Sequence, residues 1–170
     1  RYSYEKRESS VSQSQTPGFV AGRVPFSAEN DWNELTPRIV IEYNLAETMI
    51  YASYSRGFKS GGYNYPASTT PDALEPEILD MFEMGVKGDY LDRTLRVSAS
   101  AYTYDYKDLQ VTRAGEGTTG LVTTENAADA ELYGIDFDVT WVATNALELR
   151  LGLNLLDSEY TKYDANAKVY

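Results

Sequence analysis

In "LELRLGLNL" (147–155) a leucine occupies every second position, with Glu148, Arg150, Gly152 and Asn154 between them. Successive side chains of a strand point to opposite faces, so this stretch has one apolar face and one polar face. "YGIDFDVTW" (133–141) repeats the arrangement: Tyr133, Ile135, Phe137, Val139 and Trp141 share one side, and Gly134, Asp136, Asp138 and Thr140 the other. The same period of two marks about seven strands, at roughly 1–8, 32–44, 49–59, 77–90, 94–111, 125–142 and 147–160. No segment of that length keeps a helical period; "DALEPEILDMF" (72–82) comes nearest, and Pro76 interrupts it. An all-β, antiparallel chain is predicted.

The connections sharpen this. Three are short: "NLAET" after Tyr43, "LDRT" after Tyr90 and "VATNA" after Trp141. The others, at about 9–31, 60–76 and 112–124, are long and rich in Gly, Ser, Thr and Pro. Short and long alternate, so an up-and-down meander puts every short turn at one end and every long loop at the other. Transmembrane β-barrels segregate their loops in this way, and soluble sandwiches have no general reason to. A nine-residue strand at about 3.3 Å per residue, tilted near 40°, covers roughly 20 Å, close to the ~25 Å apolar band of such barrels. Tyr43, Tyr90 and Trp141 each precede a short turn, where an interfacial girdle places amphipathic rings.

On this reading Ile135, Phe137, Val139, Leu147, Leu149, Leu151, Leu153 and Leu155 face lipid, and Asp136, Asp138, Glu148, Arg150, Asp89 and Arg96 face the lumen. Charge suggests the register. Pairing Trp141 with Leu147 sets Asp138 opposite Arg150, and pairing Tyr90 with Leu95 sets Asp89 opposite Arg96.

Composition narrows the chemistry. The 170 residues carry 26 acidic and 15 basic side chains, a net charge of −11, no His and no Cys. The acidic balance argues against a nucleic-acid partner, which needs a cationic patch. Without His the usual general base near neutral pH is missing, and without Cys there is neither thiolate chemistry nor a disulfide. No apolar run reaches the roughly 18 residues of a membrane-spanning helix, and no signal peptide is visible in a chain that opens at Arg1 directly into a strand-like alternation.

Four motifs then carry a family resemblance: "YASYSRGFKSGGYN" (51–64), "FEMGVKGDYLDRTLRV" (82–97), "AYTYDYKDLQV" (101–111) and "NAADAELYGIDFD" (126–138). In this order and spacing, from about Trp32 to Tyr160, the chain resembles the C-terminal half of the barrel of TonB-dependent outer-membrane receptors. Asp136 departs slightly, standing where the family more often has Glu. The resemblance implies a transmembrane barrel of about 22 strands filled by an N-terminal plug. It further implies a Gram-negative outer membrane, a TonB box ahead of the plug engaging the TonB–ExbB–ExbD complex, and import of a scarce ligand such as a ferric siderophore, cobalamin, haem or an oligosaccharide. Residues 1–170 would form part of that barrel domain, with the plug and final strands outside them. An odd strand count points the same way, since bacterial single-chain barrels have even numbers.

Other readings stay open. A passive porin shares the wall but keeps an open lumen; a soluble all-β binding module or hydrolase would pack the leucines of 147–155 against a second sheet. "GEGTTG" (115–120) fits G-x-G-x-x-G, yet that fingerprint needs a following helix and here strands are predicted on both sides. Asp136 and Asp138 beside Glu148 and Arg150 could form an acid–base pair or a Ca²⁺ site, but lumen lining explains them with less; Asp105 and Asp108 carry the same caution. In "RGFKSGGYNYP" (56–66), Tyr63 and Tyr65 are candidate ligand-stacking aromatics, as Arg113 is a candidate cation on the next long loop. The alternative for 56–66 is a structural rim, with Gly57, Gly61 and Gly62 bending the strand into its loop and the tyrosines in the outer girdle. No catalytic residue, cofactor or metal ligand is assigned.

Overall fold

The computed structural model of this chain describes residues 1–11, 26–63, 73–114 and 122–163. These residues form eight antiparallel strands: β1 (Tyr2–Val11), β2 (Phe26–Leu35), β3 (Arg38–Leu45), β4 (Thr48–Lys59), β5 (Glu77–Tyr90), β6 (Leu95–Ala114), β7 (Val122–Thr144) and β8 (Leu147–Tyr163). β1 and β2 make a two-stranded ladder, and β3 to β8 make a six-stranded sheet in chain order. The sheet is therefore an up-and-down meander.

The expected strand at 32–44 is two strands, which raises the number from seven to eight. β2 and β3 follow one another with only Thr36 and Pro37 between them, and the partner changes there: Leu35 pairs with Tyr2, whereas Arg38 pairs with Ser55. Pro37 has no N–H to give a ladder, so the break falls where a donor is missing. Its carbonyl still accepts from the Arg56 amide at 3.0 Å, and the Thr36 amide donates to the Arg1 carbonyl at 2.9 Å. The long connections expected at 9–31 and 112–124 are also shorter, because β1, β2, β6 and β7 extend into them. Those extensions lack apolar alternation in the sequence, so a period of two does not mark them.

The three short turns lie side by side. The Asp89 amide donates to the Glu47 carbonyl at 3.2 Å, and the Val142 amide to the Thr94 carbonyl at 2.8 Å. Leu91, Asp92 and Arg93 all adopt positive φ (53°, 54° and 66°), a left-handed run that reverses the chain in few residues.

One face of the six-stranded sheet is apolar across its whole width. Successive partners read Ile41, Ala52, Met84, Ala101, Ile135, Leu155 in one row and Tyr43, Ile50, Val86, Ala99, Phe137, Leu153 in the next. Towards the short turns the band ends on Tyr90, Leu95, Trp141 and Leu149. Towards the long loops it ends on Tyr54, Phe82, Thr103 and Tyr133, beyond which the row becomes Arg56, Asp80, Asp105, Glu131 and Glu159. Among the described residues no second sheet covers this face; Leu151 is 62% exposed, and Leu147, Leu149, Leu153 and Leu155 are about as open. Burial concentrates instead at the long-loop end, around Trp32, Ser60, Glu77, Asp80, Ala127, Ala128 and Ala130.

The register expectations divide. Tyr90 pairs with Leu95 and Asp89 with Arg96, whose side chains meet at 2.7 Å. Trp141, however, pairs with Leu149 rather than Leu147, so Asp138 faces Gly152 and Arg150 faces Thr140. A bulge between Val142 and Thr144 lets a tight turn at 145 and 146 close the hairpin, displacing the ladder by two residues from the five-residue connection expected. A shift of two leaves every side chain on its own face, so the apolar and polar assignments survive the error.

Candidate functional site: the polar face and its rim

Lining of the opposite face begins with tyrosines set against glycines. Tyr51 pairs with Gly85, and a Cβ on that glycine would come within 2.6 Å of the Tyr51 ring. Tyr102 and Gly134 repeat the relation across β6 and β7. With the glycine side empty, each ring covers its partner's backbone and leaves its hydroxyl available further across the sheet. The Tyr51 hydroxyl donates to Glu83, and the Lys87 ammonium sits 5.0 Å from the Tyr51 ring centroid. Asn154 donates to the Tyr102 hydroxyl at 3.2 Å and to Asp136. Tyr104 meets the Tyr102 ring edge-on at 5.5 Å.

All six charged residues expected on the polar side share this face by register: Asp89, Arg96, Asp136, Asp138, Glu148 and Arg150. Four of them form two local ion pairs and not one cluster. Asp89 binds Arg96, Glu148 binds Arg150 on its own strand, and Asp136 takes the Asn154 amide. Among the described residues no group of three or more acidic or other ligand-type side chains is placed to hold a metal ion.

Beyond the aromatic row two carboxylates are nearly closed off from water. Glu77, 4% exposed, lies at the start of β5. Its oxygens take the Lys59 ammonium at 2.7 Å, the Tyr106 hydroxyl at 2.7 Å and the Gln110 amide at 3.0 Å. Burial pushes the Glu77 carboxyl up, but these three donors outweigh it and hold the group below its ordinary value. Burial together with Glu77 pushes the Tyr106 phenol up to about 12. On the other face Asp80 receives two bonds from Arg56, at 2.8 and 2.7 Å, and one from the Tyr54 hydroxyl at 2.6 Å. The Arg56 guanidinium holds the Asp80 carboxyl below the usual range despite its burial.

The stem of the β4–β5 connection is tightly made. Gly61 has no room for a side chain, since a Cβ would stand 1.8 Å from the Leu74 carbonyl and 2.6 Å from Trp32. Gly57, read from sequence as a bend point, has nothing within 4 Å of the same position. The Leu74 amide donates to the Gly62 carbonyl at 2.7 Å, and Tyr63 bridges Ala73. Tyr63 also meets Trp32 edge-on at 6.5 Å, so this candidate aromatic stands at the loop stem, packed on β2. Arg113 pairs with Thr123 through the backbone. Tyr65, the "GEGTTG" segment and the side chain of Arg113 lie outside the described residues.

Sequence reasoning missed Trp32, Tyr51, Glu77, Glu83, Tyr102, Gln110 and Asn126. The two amides deserve their positions through geometry that no short motif announces. Asn126 accepts from the Glu75 amide at 2.9 Å and donates to the Glu75 carbonyl at 3.0 Å and the Asp108 carbonyl at 2.6 Å. Gln110 donates to the Ser60 carbonyl at 3.3 Å and the Glu75 carbonyl at 3.1 Å.

Comparison with known proteins agrees with this architecture. A family model described as TonB dependent receptor-like, beta-barrel matches residues 1–169. A pesticin receptor of Yersinia enterocolitica is 26% identical over 167 residues, covering 95% of this chain and 23% of the relative. A probable TonB-dependent siderophore receptor, PiuA of Acinetobacter baumannii, is 28% identical over 145 residues, covering 81% and 19%. Among solved structures, the ferric yersiniabactin uptake receptor FyuA from Yersinia pestis superposes with a TM-score of 0.65 at 20% identity, covering 81% of this chain and 21% of that one. The alcaligin outer-membrane receptor FauA from Bordetella pertussis gives 0.54 at 18% identity, covering 81% and 25%. The chain thus spans a quarter or less of the length of each of these proteins.

Proposed function

We propose that this chain, which belongs to the TonB-dependent receptor β-barrel family, forms part of the wall of an outer-membrane transporter of a Gram-negative bacterium. The apolar face meets lipid through Ile135, Phe137, Val139 and the alternate leucines from Leu147 to Leu155. The polar face, with Asp89, Arg96, Asp136, Asp138, Glu148 and Arg150, lines the lumen. The observation that carries this reading is the uncovered apolar band, closed above and below by aromatic residues, on a sheet whose short turns all lie at one end.

The transported ligand is proposed to be a ferric siderophore, taken up with energy delivered through TonB, and no catalytic step is assigned to the chain. Relatives named for siderophores support the ligand class, and the family supports the TonB partner. Tyr63 and Arg113, at the stem of one long loop and the base of another, are the proposed points of ligand contact from this segment, with Tyr65 the third. Uptake of ⁵⁵Fe-labelled siderophores by cells with and without the gene tests the reading, repeated with TonB inactivated. Uptake that needs both the gene and TonB supports it; uptake that needs the gene but not TonB identifies a passive porin instead.

A further inference from the structure

The long β6–β7 hairpin is irregular at one place. Its ladder shifts between Tyr106 and Leu109 and again between Leu109 and Gln110, and within that irregularity Asp108 stands at φ 56°. Asp is one of the few non-glycine residues that enters the left-handed region readily. Two side chains of β7 hold it there: Asp129 accepts from the Asp108 amide at 3.0 Å, and Asn126 donates to the Asp108 carbonyl. Gln110 and Asn126 face each other across the ladder directly beside this irregularity. Both reach across to the β4–β5 stem.

There the two amides do complementary things. Asn126 binds the Glu75 backbone through both its N–H and its C=O, as a neighbouring strand would. Gln110 spans the stem, donating to Ser60 on one arm and to Glu75 on the other, while its own backbone N–H is held by Glu77. The arms are joined directly as well, through Leu74 to Gly62 and Tyr63 to Ala73. The side-chain bonds from Gln110 and Asn126 add to that backbone bond and bridge and tie the stem to a continuous sheet.

We propose that Gln110 and Asn126 are positioning residues, which lock the β4–β5 stem to the β6–β7 hairpin and thereby fix where Tyr63 stands at the rim. Its consequence for ligand binding rests on the transport reading above; the mechanical claim does not. Amide hydrogen exchange on the complete protein in detergent or lipid nanodiscs tests it. Asn126→Ala and Gln110→Ala should each speed exchange at Leu74 and Glu75 by about tenfold, while the band around Met84, Ala101 and Ile135 keeps its protection. Asn126→Asp, which keeps the acceptor for the Glu75 amide and loses both donors, should fall between wild type and Asn126→Ala. Unchanged exchange at Leu74 and Glu75 in both alanine variants would overturn the proposal, and so would loss of protection spread through the band. In cells, Asn126→Ala should raise the half-saturation concentration for ferric-siderophore uptake severalfold at unchanged maximal rate. A wild type with no such uptake would remove the transport reading and leave the exchange result standing.

Discussion

The ring of Tyr102 occupies the space that a side chain on its cross-strand partner Gly134 would take: a Cβ there would meet the ring at 2.6 Å and the Leu155 carbonyl at 2.7 Å. The glycine is therefore part of how the tyrosine is seated. Gly134→Ala should destabilise the barrel by about 1–3 kcal/mol through overpacking. Gly57→Ala, where the added methyl meets nothing within 4 Å, should be neutral within about 0.5 kcal/mol. Thermal unfolding of the complete protein in detergent distinguishes the two; equal losses would contradict the packing account.

Asp80 should give the loop-side end of the sheet an acid limit. Its carboxyl, held low first by Arg56, binds protons less readily folded than unfolded. Such a group contributes stability above its unfolded pKa, about 3.9, and the contribution disappears as pH falls through the lower folded value. Melting temperature measured from about pH 6 downward should therefore fall off below about pH 4 in the wild type and more gently in Asp80→Asn. Arg56→Ala, which removes two of the hydrogen bonds to a nearly buried carboxylate and leaves that from Tyr54, should cost about 1–3 kcal/mol at neutral pH.

Two charge pairs look alike in the sequence and behave differently in the sheet. Asp89 and Arg96 are direct partners in contact, whereas Asp138 faces Gly152 and Arg150 is held by Glu148. A double-mutant cycle should find favourable, salt-sensitive coupling for Asp89 with Arg96 and clearly weaker coupling for Asp138 with Arg150, which are only diagonal neighbours. Coupling in the second pair as strong as in the first would restore the register that charge alone suggests.

The contrast shows what alternation can and cannot reveal. The bounds of β5 are legible, because Glu77 to Tyr90 is flanked by turn-forming residues and alternates cleanly from Phe82 to Tyr90, although Leu79, Asp80 and Met81 break the period near its start. The faces of β7 and β8 were legible too, and a two-residue slip could not disturb them. The slip itself was hidden: the bulge at Val142 to Thr144 leaves no mark in composition, and opposite charges were available in the wrong register. Pro37 marked a break whose meaning, a change of partner from β1 to β4, depends on residues far along the chain. Gln110 and Asn126 were invisible for the same reason, since each bonds backbone groups 35 to 51 residues away.

Central to the proposed transport function is that the apolar face meets lipid and the polar face a lumen. Leu151 and Ser98 lie at nearly the same depth on opposite faces, Leu151 beside Val139 and Ser98 beside Asp138. The free energy of folding into lipid bilayers should be measured for the complete protein carrying Leu151→Arg or Ser98→Arg. The account predicts a loss of about 2–4 kcal/mol for Leu151→Arg and less than about 1 kcal/mol for Ser98→Arg, which gains Asp138 as a neighbour. Equal losses, or a Leu151→Arg variant that folds as well as the wild type, would contradict it.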